Sequence, residues 1–560
     1  MRELTGGRLL RRSIGRHRGR LTAAVLLLSA HQSAEALVPV LIGVLIDRAV
    51  ATGDVLALLL WMLALGALFA LLTTFWRWGA RHLMTAMQHE MHQLRIEVVE
   101  RVLDPRGQRT GMRAGEVLQI ATSDAERAAA VMQGWSVGAA AFVALVVSAV
   151  SLLTIDVPLG LAVLIGVPAL AAGLQVLSPW LTRRAAVAQE AAGETAALAT
   201  DLVHGVRALR GIGAQASAAA AYRGSSRTAL RASLRAATTN GVYLGVTSAV
   251  SGLFLAAIAG FAGWLTLDGR LTVGELITVV GLAQFVAEPV RLLGSAGQLV
   301  AQARASAHRL GRILDAPTVV RPGPRTSVPC PSLLLSGVSY RTLTDLSLAV
   351  GPGETLGVVG YDQRDCDALL ELLSGAVPAH AYRGSLVVGD VPVAELDLAT
   401  LRATVLVEQH DMALFEGTLR TNLLAGAGSA DLGRAVAAAA AEDIIAAHPA
   451  GLDHPVADRG TTLSGGQRQR IGLARALAAA APVLVLPEPT TAVDAVTEER
   501  IAHGIAWLRA GSTTVLVTTS PALLAVADRV VVLDAGRVAA TGTHADLAET
   551  DPRYRAAVLR

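Results

Sequence analysis

The chain has 560 residues, of which 52% are apolar and only 17% are charged, and its mean hydropathy is +0.49. This composition excludes a disordered chain and is unusual for a soluble enzyme, in which about 25% of the residues are charged. With only two cysteines and a net charge of +3, the chain is neither a disulfide-stapled secreted scaffold nor, on its total charge, a nucleic-acid-binding protein. All 48 basic residues are arginine, so no reaction here can use a lysine of this chain.

Long apolar runs occupy the first half of the chain. A helix of about 20 residues crosses the ~30 Å hydrocarbon core of a bilayer, so runs of this length predict membrane spans. The six predicted spans are 21–46, 55–79, 133–155, 157–180, 241–266 and 272–298. The first run could instead be a signal peptide with small residues at its end, but the apolar run resumes at once after Glu35 and favours a span.

Arginine placement predicts the orientation of these spans. Seven arginines precede the first span, and the long segments after the second and fourth spans are also rich in arginine. Positive charge is retained in the cytoplasm, so residues 1–20 and both long segments are expected there. Six spans return the C-terminus to the same side. The chain is therefore predicted to be a multi-pass protein of the inner (plasma) membrane, in contact with the lipid bilayer, with both termini cytoplasmic.

The two long cytoplasmic segments, about 80–130 and 181–240, are predicted to be helical extensions of the spans. They are rich in Ala, Glu, Arg and Gln, which are strong helix formers. Short interruptions are expected near Gly115 and between Gly205 and Gly213.

Prolines mark the end of the membrane part. Five of them fall between Pro317 and Pro331, which is typical of a linker. The predicted organisation is a basic segment 1–20, a transmembrane domain 21–305, a linker 306–331 and a second domain 332–560. In the second domain short apolar runs alternate with helical segments, which predicts an α/β fold. The predicted strands are 355–360, 385–388, 404–407, 483–486, 514–517 and 529–533.

The strongest motif is the string LSGGQRQR at residues 463–470, at the start of a helix predicted to span 469–478. Ser464 is suited to cap this helix, while Gly465 and Gly466 let backbone N–H groups approach an anion closely. A bare Ser-Gly-Gly turn is usually only a helix cap. The full eight-residue string is far more specific.

This string resembles the signature motif of ABC transporters, and further segments resemble other motifs of that family in the family's order. Residues 483–490 resemble the Walker B segment, in which Glu488 matches the catalytic glutamate. Residues 491–494, which end at Asp494, resemble the D-loop, and Gln409 matches the Q-loop. Residues 115–117 with Asp124 resemble the first intracellular loop of exporter membrane domains.

The resemblance implies the layout of an exporter-type half-transporter. Its fold class would be an all-α, six-helix transmembrane domain with long cytoplasmic helix extensions, followed by a cytoplasmic α/β nucleotide-binding domain of the P-loop type. The cofactors implied are ATP and Mg²⁺, and no other metal site is expected.

The family's phosphate-binding loop, G-x-x-x-x-G-K-[ST] between a strand and a helix, falls on residues 360–367 with altered chemistry. Asp365, Cys366 and Asp367 stand where the second glycine, the lysine and the hydroxyl residue are expected. The degenerate loop and the start of a helix predicted over 368–373 comprise Gly360, Gln363, Arg364, Asp365, Cys366, Asp367 and Ala368. Asp362, Asp365 and Asp367 are expected to bring carboxylates to the phosphate positions. Arg364 either reaches back to a ligand or, more simply, pairs with a neighbouring aspartate.

Two further parts of the implied ATP site depart from the family pattern. Pro487 stands where the Walker B aspartate would hold Mg²⁺, and Ser520 matches the position of the switch histidine. Tyr340 is the nearby candidate for the aromatic that stacks on adenine, unless it is a strand core residue. Glu488 is retained but, without the lysine and the Mg²⁺ ligand, is predicted to be non-catalytic. No catalytic residue is therefore expected in this chain's own site.

In this family two nucleotide domains meet head to tail, and each ATP lies between the P-loop of one domain and the signature of the other. The resemblance therefore implies a heterodimer, in which a second half-transporter with intact Walker A, Walker B and switch histidine binds most of the ATP and Mg²⁺. This chain would contribute Ser464, Gly465, Gly466 and Gln467 in trans. The alternatives are a siderophore-type importer built on the exporter fold and a non-hydrolysing regulatory pseudo-transporter.

Polar residues inside the spans are candidates for a substrate cavity, because they are costly in lipid. They are His31, Gln32 and Glu35 in the first span and Gln284, Glu288 and Arg291 in the sixth. Alternatively, Glu288 pairs with Arg291 three residues later, and Glu35 lies in a solvated vestibule. The two glutamates would suit a cationic or amphipathic small molecule or peptide.

Overall fold

The computed structural model of the chain describes residues 6–108, 111–175, 178–408, 412–426, 431–457 and 460–559. Gln409, the predicted Q-loop residue, lies outside the described residues. The chain divides into two compact units. One comprises Met1–Val99 and Met112–Asp315, and the other comprises Glu100–Gly111 and Ala316–Arg560.

The first unit is built from helices. Its described helices are α1 (Gly6–Arg16), α2 (Arg18–Leu45), α3 (Val55–Val102), α4 (Ala114–Gln119), α5 (Ala125–Ala129), α6 (Val131–Ile155), α7 (Val157–Gln175), α8 (Ser178–His204), α9 (Val206–Gly211), α10 (Gln215–Leu267) and α11 (Val273–Leu314). Two π-helical turns, Ile46–Val50 and Ile120–Asp124, follow α2 and α4.

Helices occupy the described residues of all six predicted spans, except that Thr272, the first residue of the sixth, is the N-cap of α11. Among the described residues, four helical stretches are long and apolar enough to cross a membrane: Val55–Val102, Gly115–Ile155, Gln215–Leu267 and Val273–Leu314. The first predicted span coincides with α2, and α7 covers the fourth as far as Gln175. Large apolar side chains of α3, such as Leu59, Leu60 and Leu63, are exposed. An apolar surface of this kind is expected on a helix whose surroundings are lipid.

The long helical extensions are confirmed, with one difference in the position of a break. Helix α3 continues to Val102 and α10 begins at Gln215, both well beyond the predicted spans. The second break lies between His204 and Gln215, as expected. The first break lies between Val102 and Ala114, so the helix ends more than ten residues before the expected interruption at Gly115.

Helices α2 and α11 pack antiparallel along a series of close contacts. Asp47, in the π-helical turn after α2, accepts at Oδ1 a hydrogen bond from the N–H of Gly274 at 2.8 Å. About two turns earlier in the chain, the carbonyl oxygen of Pro39 accepts a hydrogen bond from Thr278 Oγ1 at 3.3 Å. A Cβ on Gly43 would lie 2.3 Å from the carbonyl oxygen of Gly274. Glycine at these positions therefore allows the two backbones to approach. The contacts join the C-terminal end of α2, with the turn that follows it, to the N-terminal end of α11.

The second unit is an α/β domain. Its described strands are β1 (Leu333–Tyr340), β2 (Leu343–Val350), β3 (Thr355–Gly360), β4 (Arg383–Val388), β5 (Val391–Pro392), β6 (Val405–Val407), β7 (Gly417–Thr418), β8 (Pro455–Val456), β9 (Val483–Pro487), β10 (Thr513–Val517), β11 (Arg529–Asp534) and β12 (Arg537–Gly542). Its described helices are α12 (Gln363–Leu373), α13 (Leu398–Thr404), α14 (Leu419–Leu424), α15 (Leu432–Ala438), α16 (Glu442–Ala446), α17 (Gly465–Ala478), α18 (Ala495–Leu508), α19 (Pro521–Ala525), α20 (His544–Thr550) and α21 (Pro552–Val558).

The main sheet has the strand order β12-β11-β3-β10-β9-β6 in the described part of the chain, and all its neighbours except β11 and β12 are parallel. The predicted strands are all present. The strands β1, β2 and β12 were not predicted, because they alternate between buried and exposed residues or are largely exposed and lack a continuous apolar run. The carboxyl ends of β3, β9 and β10 meet at one edge of the sheet, where ligands bind in folds of this class.

Candidate nucleotide site

The segment after β3 forms a tight turn and not an open phosphate-binding loop. Helix α12 begins at Gln363, five residues before the predicted start, so only Tyr361 and Asp362 connect the strand to the helix. The Asp362 carboxylate caps the helix by accepting a hydrogen bond from the N–H of Arg364 at 2.9 Å. A carboxylate of the chain itself therefore lies at the helix N-terminus, where a P-loop would bind phosphate.

Arg364 pairs with Asp362, which is the simpler of the two arrangements that the sequence allowed. Arg364 Nη2 lies 2.6 Å from Asp362 Oδ2. The side-chain and backbone hydrogen bonds from Arg364 lower the pKa of Asp362 to about 2. Nearby, Gln363 Nε2 donates to Asp367 Oδ1 at 3.2 Å, and both side chains are exposed. The charges of this turn are thus partly paired with one another.

The expectation that Asp365 lies at a phosphate position is wrong. Asp365 is only 2% exposed, and its Oδ2 accepts a hydrogen bond from the N–H of Gly536 at 2.9 Å. Gly536 belongs to the turn between β11 and β12. Because α12 starts early, residue 365 falls on the inner face of the helix. Asp365 therefore links α12 to the edge of the sheet.

Cys366, at the position of the P-loop lysine, is part of the hydrophobic core. Its side chain and that of Ala368 are buried in the cluster between α12 and the sheets. Burial is the main cause that raises the pKa of the Cys366 thiol to about 12. A Cβ on Gly360 would lie 2.4 Å from Cys366 Sγ, so only glycine fits above the thiol.

The Walker B position and the switch segment contact each other directly. Pro487 is buried at the end of β9 and pairs with Val517 of β10, and its ring offers no ligand to a metal ion. The next residue, Glu488, accepts hydrogen bonds from Thr518 Oγ1 at 3.0 Å and from the N–H of Thr519 at 3.2 Å. Both carboxylate oxygens of Glu488 are therefore bound to the segment that precedes Ser520.

Ser520, at the switch-histidine position, is a helix cap. Its Oγ accepts a hydrogen bond from the N–H of Leu523 at 3.3 Å, and its own N–H donates to Thr518 Oγ1 at 3.1 Å. The side chain is nearly buried. Ser520 therefore orders the start of α19 and the neighbouring Thr518.

Little space remains between these segments. The cavity at the ends of β3, β9 and β10 has a volume of about 10 Å³, and it is lined by Val358, Gly360, Gln363, Cys366, Pro487, Glu488, Val517, Thr518 and Thr519. A volume of about 10–15 Å³ accommodates one water molecule. Cys366 and Pro487, which stand at the predicted positions of the lysine and the aspartate, bring neither a cationic group nor a carboxylate to this cavity.

Tyr340, the candidate for stacking on adenine, lies at the end of β1 and packs partly against the core. The guanidinium of Arg341 stands over its ring, 5.5 Å from the centroid, and Arg341 also pairs with Glu371 of α12 at 2.9 Å. Burial, with Glu371 close by, raises the pKa of Tyr340. A cation of the chain itself thus stands over the Tyr340 ring.

The signature motif, in contrast, presents an open helix N-terminus. Ser464 caps α17 as predicted: Ser464 Oγ accepts from the N–H of Gln467 at 3.3 Å, and Gln467 Oε1 accepts from the N–H of Ser464 at 2.9 Å. The helix begins at Gly465, four residues before the predicted start, so both glycines are in its first turn. Ser464 and Gly465 are exposed. First-turn N–H groups of this kind can bind an anion.

Gln469 is a residue of this site that the sequence analysis did not single out. Its Nε2 donates to the carbonyl oxygen of Glu488 at 2.9 Å and to Thr491 Oγ1 at 3.0 Å, and its Oε1 accepts from the N–H of Ala492 at 2.9 Å. The available signal was helical spacing, since residue 469 shares a face with the buried Leu473. A polar side chain on a buried face requires hydrogen-bond partners.

Other residues hold the surrounding loops in place. Asp494 caps α18 by accepting from the N–H of Thr497 at 3.0 Å, and the bonds from Thr497 lower its pKa. Arg475 of α17 pairs with Glu408 at 2.8 Å and donates to the carbonyl oxygen of Ala413, also at 2.8 Å. The signature helix thus anchors both described ends of the segment that contains Gln409.

In the first unit the predicted cavity residues separate into two groups. Glu288 pairs with Arg291, with Arg291 Nε 2.9 Å from Glu288 Oε2, and Gln284 is exposed. In α2, Gln32 Nε2 donates to Glu35 Oε2 at 2.9 Å. The charge of Glu288 is therefore neutralised within its own helix.

Comparisons with known proteins agree with the motifs. The family model for the ABC transporter transmembrane region matches residues 21–290, and the ABC transporter model matches residues 343–491. A multidrug efflux ATP-binding/permease protein of Mycobacterium tuberculosis is 32% identical over 416 residues, which are 72% of this chain and 34% of that protein. An ATP-dependent lipid A-core flippase of Pseudomonas fluorescens is 28% identical over 416 residues, 72% of this chain and 69% of the flippase.

The chain spans about a third of the length of the first two curated relatives that it matches. The fold is that of a bacterial Atm1-family ABC exporter solved with ATP bound, with a TM-score of 0.75, 22% identity, and coverage of 96% of this chain and 97% of that one. The predicted fold class, a helical transmembrane domain followed by an α/β nucleotide-binding domain, is confirmed. The chain is a multi-pass membrane protein that belongs to the ABC transporters and has the organisation of an exporter-type half-transporter.

Proposed function

We propose that this chain is the non-hydrolysing half of a heterodimeric ABC exporter in the inner membrane, and that its signature motif completes the ATP site of an intact partner subunit. The observation that carries the proposal is the closed turn after β3. The Asp362 carboxylate caps α12, and the position of the P-loop lysine is the buried thiol of Cys366. Two copies of this chain would contain two such sites, so hydrolysis requires a different partner.

The chemistry of phosphoryl transfer supports this assignment. Catalysis of that reaction depends on positioning and on neutralising the developing charge with Mg²⁺ and cationic side chains. In this chain Cys366, Pro487 and Ser520 replace three groups that serve those purposes. Glu488 accepts hydrogen bonds from Thr518 and Thr519, so both of its carboxylate oxygens are bonded to the protein itself. Mg²⁺ and most of the ATP contacts would come from the partner.

The signature side supports the second half of the proposal. Gly465 is exposed in the first turn of α17, and its backbone can reach a phosphate that is held by another subunit. Ser464 and Gln467 keep this turn in place through their reciprocal hydrogen bonds. A regulatory pseudo-transporter without hydrolysis would not require an exposed anion-binding helix N-terminus, so this feature favours the heterodimer over that alternative.

The transported substrate is proposed to be a small amphipathic molecule or a peptide. The relatives are described as a multidrug efflux protein and a lipid A-core flippase. These descriptions favour export over the import alternative. The arginine-rich segments favour cytoplasmic termini, as the sequence predicts.

The test is to purify the full chain from its native membrane, identify the ABC half-transporter that accompanies it, and measure Mg²⁺-dependent ATP hydrolysis. We expect no hydrolysis by this chain alone and clear hydrolysis by the pair. Replacing the Walker B glutamate of the partner should abolish that activity. Hydrolysis by this chain alone, lost in Glu488→Gln, would contradict the proposal.

A further inference from the structure

We propose that His31, Gln32 and Glu35 of α2 form a binding site for a primary ammonium group, carried by the transported molecule. The inference rests on the proposed exporter function and names a substrate class for it. The three side chains lie in the first predicted span, where polar groups are costly unless they have a partner. Their hydrogen-bonding groups are mostly acceptors, and a cationic N–H donor is the complement that they require.

The histidine presents an acceptor to the site. His31 Nδ1 lies 2.9 Å from the carbonyl oxygen of Leu72 in α3. A carbonyl oxygen can only accept, so Nδ1 carries the proton and, in the neutral ring, Nε2 has a free lone pair. Nε2 faces Glu35 Oε2 at 3.8 Å, which is longer than a hydrogen bond. A lone pair and a carboxylate that face each other need a donor between them.

The glutamine presents a second acceptor. Gln32 Nε2 donates to Glu35 Oε2 at 2.9 Å, and this contact defines which end of the amide is the nitrogen, because a carboxylate cannot donate. The other end of the amide, Gln32 Oε1, is buried and has no hydrogen-bond partner among the described residues. An unsatisfied buried carbonyl is unfavourable. A ligand with more than one N–H could satisfy it together with His31.

Glu35 supplies the negative charge of the site, and its side chain is accessible to a ligand. The side chain of Glu35 is 42% exposed, whereas that of His31 is 14% exposed. A ligand can therefore reach the carboxylate. The other glutamate among the predicted cavity residues, Glu288 of α11, is already paired with Arg291. Glu35, in contrast to Glu288, has no cationic partner at hydrogen-bond distance among the described residues.

The geometry distinguishes between classes of cation. A primary ammonium has three N–H donors, one for each of the acceptors His31 Nε2, Gln32 Oε1 and the Glu35 carboxylate. A quaternary ammonium carries the same charge but has no donor. A proton on His31 would satisfy Nε2 alone and would leave Gln32 Oε1 unpaired. The site therefore favours a primary amine over both.

The experiment measures the binding of dodecylammonium to the full chain in phosphatidylcholine nanodiscs by equilibrium dialysis, with empty nanodiscs to subtract partitioning. Dodecyltrimethylammonium is the matched probe without N–H donors. We expect saturable binding of dodecylammonium and at least about tenfold weaker binding of the quaternary probe, because hydrogen bonds to charged groups are lost. Glu35→Gln and His31→Phe should each weaken dodecylammonium binding by about tenfold or more.

Asp268→Asn is the control, because it removes the same charge from an exposed turn after α10. It should leave the binding unchanged, and the thermal unfolding of each variant shows that it is folded. Equal binding of the two probes, or unchanged binding in Glu35→Gln, would overturn the proposal. So would an equal loss in Asp268→Asn. The measurement needs no ATP hydrolysis, so its failure is distinguishable from a failure of the heterodimer proposal, which the ATPase assay reports.

Discussion

The backbone N–H of Ala492 donates a hydrogen bond to Gln469 Oε1 at 2.9 Å, and this bond joins the signature helix to the D-loop. The two segments are also in direct van der Waals contact, because a Cβ on Gly466 would lie only 2.5 Å from the carbonyl oxygen of Ala492. The signature helix and the D-loop are therefore packed directly against each other. In the proposed heterodimer these two packed segments are what the chain contributes to the partner's ATP site.

Replacing Gln469 by Leu should lower ATP hydrolysis by the heterodimer. The change leaves the carbonyl oxygen of Glu488 and the N–H of Ala492 without partners, so the signature is no longer held in register with the D-loop. We expect a loss of about tenfold or more in kcat per folded heterodimer, since tenfold corresponds to about 1.4 kcal/mol. The measurement is steady-state ATPase activity with kcat and KM determined separately.

The graded variant Gln469→Glu separates positioning from simple folding. It keeps an acceptor for Ala492 and loses the two donated hydrogen bonds, so its kcat should lie between those of the parent and Gln469→Leu. A purely structural role would lower the melting temperature and the yield of both variants while leaving kcat per folded heterodimer at the parent value.

Gly465→Asp and Glu488→Gln should have opposite consequences. Aspartate at the first turn of α17 is compatible with the helix, because acidic residues are favourable there, but it brings a carboxylate to a phosphate position. We expect Gly465→Asp to abolish ATP hydrolysis by the heterodimer without unfolding it. Glu488→Gln should change the rate by only a few-fold, because losses of about 10²–10⁴ apply only where a general base acts. The reverse outcome would show that Glu488 is the working base.

Cys366→Lys should not restore an ATP site. Residue 366 is buried beneath Gly360, so the lysine would bring an unpaired charge into the core. We expect a loss of ~3 kcal/mol or more in the free energy of unfolding and no ATPase activity of the chain alone. Arg364→Ala, at an exposed position of the same helix, is the control and should leave the melting temperature nearly unchanged. A stable, ATP-hydrolysing Cys366→Lys chain would contradict the closed turn after β3.

The two cysteines should react with a thiol reagent at very different rates. Cys330 is exposed, whereas burial raises the pKa of Cys366 to about 12, so at about pH 8 its thiol is both protonated and inaccessible. We expect N-ethylmaleimide to modify Cys330 rapidly in the folded chain and Cys366 only after denaturation. Mass spectrometry of the labelled peptides measures both rates. Rapid labelling of Cys366 in the folded chain would mean that the start of α12 opens readily.

The sequence by itself determined the features that depend on short stretches of chain. Apolar runs long enough for a bilayer predicted the helices of the first unit, and continuous apolar runs predicted the central strands, because hydropathy acts locally. The cap at Ser464 was also predictable, since the residues that make it are three apart. The string at residues 463–470 and the segments that contain Glu488 and Asp494 indicated the family, and the replaced residues at 366, 487 and 520 indicated the altered chemistry.

The tertiary structure alone decided which way the side chains of the candidate site face. Asp365 was expected among phosphates, but the early start of α12 turns it towards Gly536, which is 171 residues away in the chain. The contact between Glu488 and Thr518 depends on two parallel strands that end at the same edge of the sheet. Gln469 lies within the signature string, but its contacts could not be predicted from the string, because it joins its helix to the segment 488–492 through bonds to residues 19 to 23 positions away. Such contacts depend on how distant elements pack, and this packing cannot be predicted from the local pattern of residues.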